Sequence, residues 1–272
     1  MSETSSNGSV YELSGPADAP VIVLVHGLGL NRHVWGKYIA RLAQRYRVLS
    51  YDLYGHGESA PPPGTPSLTT FSEQLFELLD ELAIECCSII GFSLGGMINR
   101  RFAMDHPQRL HALVILNSPH EREPEAQELV EQRALDSAAG GPGATLDATI
   151  ERWFTADFIM QHPEFIATVR DWVLANNPEN YALCRQVLAF GVVELIRPQP
   201  PIIHPTLIIT CEHDSGSTPT MSQAIASEIS GAQVIIVPGL RHMGLTENPS
   251  FFINALVEFL EELPDVVPKF EE

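Results

Sequence analysis

The sequence predicts an α/β chain: an open, mostly parallel central sheet with helices on both faces and an inserted helical segment. Three observations carry that expectation. Short β-branched runs recur along the 272 residues, several of them apolar without alternation, as parallel strands covered on both faces require. Amphipathic segments lie between them, with apolar residues three and four apart. One long interval breaks the alternation and carries helical patterns alone.

Taken in order, the N-terminal stretch "MSETSSNGSVYELSG" is polar and lacks the basic-then-apolar signature of a secretory signal. The expected strands are "VIVLV" (21–25), "YRVLSYDL" (46–53), "CSIIGF" (87–92), "LHALVILN" (110–117), "PTLIIT" (205–210) and "AQVIIVP" (232–238). In "FSEQLFELLDELAI" (71–84), Phe71, Leu75, Leu78, Leu79 and Leu82 share one helical face, and "FFINALVEFLEEL" (251–263) repeats the pattern.

From Pro119 to His204 no strand pattern is found, only helical runs such as "EPEAQELVEQRALDSA", "ATLDATIERWFT" and "EFIATVRDWVLAN". The expected organisation is therefore a core of residues 1–118 and 205–272 with a helical cap over 119–204. The cap would cover the carboxyl ends of the strands, where open α/β sheets bind ligands. An independent second domain is the competing reading. Strands on both sides favour an insertion instead.

A chain 44% apolar and 18% charged is an ordinary globular protein. Its 16 basic and 34 acidic residues give a net charge of −18, which repels phosphate backbones and anionic lipid. Nucleic-acid and membrane partners are therefore not expected, and no apolar run approaches the ~20 residues needed to span a bilayer. The spacing of Cys86, Cys87, Cys184 and Cys211 suggests neither a zinc site nor a disulfide framework, and buried thiols suit the cytoplasm. A monomer or homodimer acting on a small molecule is the expected state.

The stretch "IIGFSLGGM" (89–97) raises the question of chemistry. A serine between glycines gains meaning only with a strand before it, a helix after it, and an acid and a histidine further on. "CSII" supplies the strand and "LGGMINRRFAMDH" the helix. The small residues Gly91, Gly95 and Gly96 meet the steric demand of a sharp strand-to-helix turn. Ser93 is thus the candidate nucleophile.

A serine hydroxyl needs a base. Of ten histidines, His242 in "VPGLRHMGL" follows the last strand in a glycine-containing loop. His26 and His56 fit better as loop-ordering residues. An acid must then fix the imidazole tautomer. Asp214, after the strand "TLIIT", is the candidate, with Glu212 as the near rival and Asn117 occupying the alternative position after the preceding strand. Two backbone N–H groups, from Leu94 and from Leu28 in the turn "HGLGL", are the expected oxyanion hole.

With these motifs in this order, the chain resembles the α/β-hydrolase superfamily over nearly its full length. Within it, the chain looks most like the 3-oxoadipate enol-lactonases, through "GFSLGGMINRRFAMDHPQRLHALVILN", "ERWFTADF" (151–158) and "NPENYALCRQV" (177–187). The resemblance implies cofactor-free hydrolysis of a small carboxylated enol-lactone, with no metal, and a pocket lined by Trp153. Met243, beside the histidine, is a second expected pocket residue. Three departures are Cys211 at a usual glycine, the acidic "NSPHEREPEA", and Arg241 beside His242.

Other readings share the fold. A carboxylesterase or acyl-homoserine-lactone hydrolase would differ in the cap pocket, and a carbon–carbon hydrolase of meta-cleavage products would use the same three residues. A ligand-binding receptor of hydrolase fold would usually lack one of them. Catalytic zinc needs about three convergent protein ligands, and no two histidines have the close spacing of the usual metal motifs. For a substrate carboxylate the candidates are Arg133, Arg152 and Arg241, left undecided by sequence.

Overall fold

A computed structural model describes residues 2–263. Its strands are β1 (Glu3–Thr4), β2 (Val10–Ser14), β3 (Val21–Val25), β4 (Arg47–Tyr51), β5 (Cys87–Phe92), β6 (Leu110–Leu116), β7 (Thr206–Cys211) and β8 (Gln233–Val237). They form one sheet in the order β1-β2-β4-β3-β5-β6-β7-β8. From β4 to β8 every neighbouring pair is parallel. Strands β5 and β7 are buried along their whole length, which is why they read as unbroken apolar runs.

The polar N-terminal stretch departs from expectation. It forms β1 and β2, an antiparallel pair at one sheet edge, with Tyr11 opposite Tyr51 of β4. Val10 and Tyr11 are buried while the rest of β2 is half-exposed. Pairing to β4 orders a segment whose own pattern is too short to announce a strand.

Helices α1 (Gly36–Leu42), α2 (Leu68–Glu81) and α3 (Leu94–Asp105) connect β3 to β6. Between β6 and β7 the chain runs through α4 (Pro124–Gly140), α5 (Leu146–Trp153), α6 (Ala156–Gln161), α7 (Pro163–Leu174) and α8 (Pro178–Phe190). Then come α9 (Pro219–Glu228), α10 (Gly244–Glu247) and α11 (Pro249–Glu261). Proline opens α4, α7, α8, α9 and α11, where its missing N–H costs nothing. Helix α2 starts on a capping box between Ser67 and Thr70.

Helix α1 packs against α11, and α2 against α3. From β3 the first crossover runs to β4 and the next returns to β5 on the other side. Right-handed crossovers put the two helix pairs on opposite faces, and the reversal of strand order opens a crevice at the carboxyl ends of β3 and β5.

The strandless interval is helical and is tied to the sheet's loops. Asn176 donates to the Gly29 carbonyl at 3.1 Å, the Met243 N–H donates to the Trp153 carbonyl at 2.8 Å, and Thr155 donates to Glu247 at 2.6 Å. Residues 1 and 264–272 of the expected core lie outside the described residues. Among those described, no helix is long and apolar enough to cross a membrane.

Candidate active site

Strand β5 ends at Phe92 and α3 begins at Leu94, so Ser93 alone makes the turn. It does so at φ 56° and ψ −113°, a conformation that costs an L-residue energy. The helix must approach the sheet closely for this to work. A Cβ on Gly91 would run into the Gly95 carbonyl, and one on Gly95 into the Val25 carbonyl at the end of β3. Glycine is therefore required by contact, not only by turn geometry.

The loop after β8 brings His242 over this turn. The Ser93 hydroxyl donates to His242 Nε2 at 3.1 Å, and His242 Nδ1 donates to Asp214 Oδ2 at 2.6 Å. Asp214 is fully enclosed after β7, where Asn117 donates to Oδ2 at 2.8 Å and the Gly216 and Ser217 N–H groups donate to Oδ1 at 2.9 and 3.0 Å. Burial alone would push this carboxyl up. The positive charge on His242 and the hydrogen bonds from His242, Asn117 and Gly216 outweigh it and hold the group below the ordinary carboxylate range. The acid is thereby kept as an anion facing the imidazole, the state that favours proton pick-up from the serine.

Opposite Ser93, the turn after β3 carries Leu28. Neither the Leu28 nor the Leu94 N–H has a hydrogen-bond partner among the described residues. The turn is fixed by His26, whose Nδ1 donates to the Gly27 carbonyl at 2.8 Å while Nε2 accepts the Leu53 N–H at 3.0 Å. Burial pushes the His26 imidazole down to about 4 and that of His56, 5.3 Å away ring to ring, down to about 3. Both are neutral at physiological pH and serve the loops that hold them.

The profile of the alpha/beta hydrolase family matches residues 22–255, from β3 into α11. The chain belongs to the alpha/beta hydrolase family. It is 31% identical over 255 residues to a putative carbamate hydrolase, RutD, of Stutzerimonas stutzeri, covering 93% of this chain and 96% of that protein. It is 30% identical over 253 residues to 3-oxoadipate enol-lactonase 2 of Acinetobacter baylyi, with 90% of each covered. Among solved structures, the enol-lactonase from Burkholderia xenovorans LB400 superposes with a TM-score of 0.86 at 30% identity, over 94% of this chain and 98% of that one.

Within this hydrolase the other expected residues separate. Trp153 lines the cavity above Ser93, its ring 6.0 Å from that of His242. Met243 does not line it: its side chain is fully buried in the core, because the loop turns there to start α10. Glu212 is exposed and accepts the Gly239 N–H at 2.9 Å, away from His242. Arg241 is pinned to the helical insertion, donating to the carbonyls of Glu151 and Phe154, and is absent from the cavity wall.

Arg133 and Arg152 do line the cavity, together with Arg122 and Arg185, which sequence reasoning did not single out. A signal for Arg122 existed: it stands five residues after Asn117, at the strand-end rim. Arg185 sits among apolar residues in "NYALCRQV", a position that a solvated arginine would avoid. Among the described residues no group of three or more His, Cys, Asp or Glu side chains converges as a metal site would.

Proposed function

We propose that this hydrolase cleaves a small lactone or carboxylic ester through an acyl-enzyme on Ser93. The observation that carries the reading is the hydrogen-bonded chain from Ser93 Oγ through His242 to Asp214 at 3.1 and 2.6 Å. His242 Nε2 takes the hydroxyl proton as Oγ bonds to the carbonyl carbon. The N–H groups of Leu28 and Leu94 receive the developing oxyanion. Collapse breaks the bond to the leaving oxygen, which takes the proton from His242. Water then gives a proton to His242 and its oxygen to the acyl carbon, releasing the acid and restoring Ser93.

Similarity to the enol-lactonases at about 30% identity supports a lactone of that kind as the substrate class. The inserted segment, which brings Trp153 and four arginines to the wall of the cavity that Ser93 also lines, acts as the cap. A second reading, a carbamate C–N bond cleaved by the same steps, is favoured by the similarity to the carbamate hydrolase. The receptor reading has less support, since Ser93, Asp214 and His242 are all present and joined. Four free cysteines, three of them buried, agree with a reducing cytoplasm.

The test is turnover on a panel of small lactones, aryl esters and carbamates. Ser93→Ala is expected to reduce it by several orders of magnitude, and unchanged turnover would refute the assignment.

A further inference from the structure

The chain has 34 acidic and 16 basic residues, and among the described residues five of its fourteen arginines are paired with a carboxylate. Arg32, Arg45, Arg101, Arg109 and Arg170 each have one. The four arginines on the cavity wall do not: among the described residues, none of Arg122, Arg133, Arg152 and Arg185 forms an ion pair. Two are held by neutral groups. Arg122 donates to the Leu188 and Ala189 carbonyls at 3.2 and 3.3 Å, and Arg185 to the Tyr181 hydroxyl at 2.9 Å. The guanidinium groups of Arg133 and Arg152 have no hydrogen-bond partner among the described residues.

Burial and mutual repulsion both act on this gathering. Burial, then Arg133 and Arg185, push the Arg152 guanidinium down to about 10. Arg133 is lowered by burial and by Arg185. Asp214 is the acid on the same wall, and its oxygens are already taken by His242, Asn117, Gly216 and Ser217. A single substrate carboxylate would leave most of the positive charge uncompensated. Planar guanidinium groups with free N–H donors suit carboxylates, each of which accepts two parallel hydrogen bonds.

We infer that the substrate of this site carries two free carboxylates besides the ester or lactone bond that Ser93 attacks. The inference rests on the reading of Ser93 as nucleophile. The net charge of −18 does not oppose it, because surface charges are screened beyond ~8 Å at physiological salt while the four arginines lie within the cavity.

The test uses one skeleton with graded charge: the trimethyl, dimethyl and monomethyl esters of propane-1,2,3-tricarboxylate, with none, one and two free carboxylates. The expected result is a rise in kcat/KM of roughly tenfold or more with each carboxylate freed, the scale of a charge-assisted hydrogen bond. Arg133→Gln and Arg152→Gln should each shrink the ratio of monomethyl to trimethyl ester turnover. Equal rates on all three esters, or no gain from the second carboxylate, would overturn the inference.

Hydrolysis of 4-nitrophenyl acetate, lost in Ser93→Ala, checks the nucleophile independently of charge. With that in hand, indifference to carboxylates defeats the dianion alone. If none of the three methyl esters is turned over, calorimetry on Ser93→Ala protein decides. Tighter binding of glutarate than of its monomethyl and dimethyl esters supports the inference, and equal or absent binding of glutarate contradicts it.

Discussion

Asn117 donates to Asp214 on Oδ2, the same oxygen that accepts the proton of His242 Nδ1. Asn117 itself is held at φ 45°, a left-handed conformation directly after β6. The amide therefore fixes which way the carboxylate faces while helping to keep it ionised. Asn117→Ala should lower kcat about tenfold with a smaller effect on KM, in keeping with the loss of one hydrogen bond to a charged group. An unchanged kcat would reduce Asn117 to packing.

Asp214→Asn should be more severe. An amide in place of the carboxylate favours the wrong tautomer of His242 and removes the charge that stabilises its protonated form. A fall of about 10⁴ in kcat is expected on the scale of such replacements. Activity within tenfold of the parent would point to another acid.

Much of the fold is legible in the sequence. The inner strands are buried on both faces, so β3, β5, β6 and β7 announce themselves by composition. Ser93, Asp214 and His242 each follow a strand at its carboxyl end, and only the hydrogen bonds separate Asp214 from Glu212, which follows the same strand. Strands β1 and β2 were not legible, because edge pairing rather than their own pattern orders them. Arginine roles were the hardest to read. A guanidinium looks alike in sequence whether it faces a cavity, as Arg152 does, or ties down a loop, as Arg241 does.

Gly95→Ala should disrupt the turn at Ser93 without touching the chemistry directly. The new Cβ would meet backbone, the Val25 and His26 carbonyls, which cannot rotate away. A loss of about 1–3 kcal/mol in urea unfolding is expected, the scale of overpacking in a filled core. Parent-like stability would mean that β3 and α3 can separate at little cost.

Acid should destabilise the fold through His26 and His56. Their folded values lie near 4 and 3, below the ordinary value of 6.5, so the unfolded chain binds more protons between these limits. Stability is then fully present above about pH 6.5 and falls as pH drops toward 4, by about 1.4 kcal/mol per pH unit per histidine. His56→Gln should flatten that slope in a series of unfolding curves. A slope unaltered by the substitution would assign the acid sensitivity to other groups.

The most direct test of the central claim is the intact mass of the protein after exposure to a phosphonate ester that reacts with activated serines. The account predicts one adduct per chain, located at Ser93, absent in Ser93→Ala and formed far more slowly in His242→Gln. No adduct, or an equal rate of labelling when His242 is replaced, would contradict it.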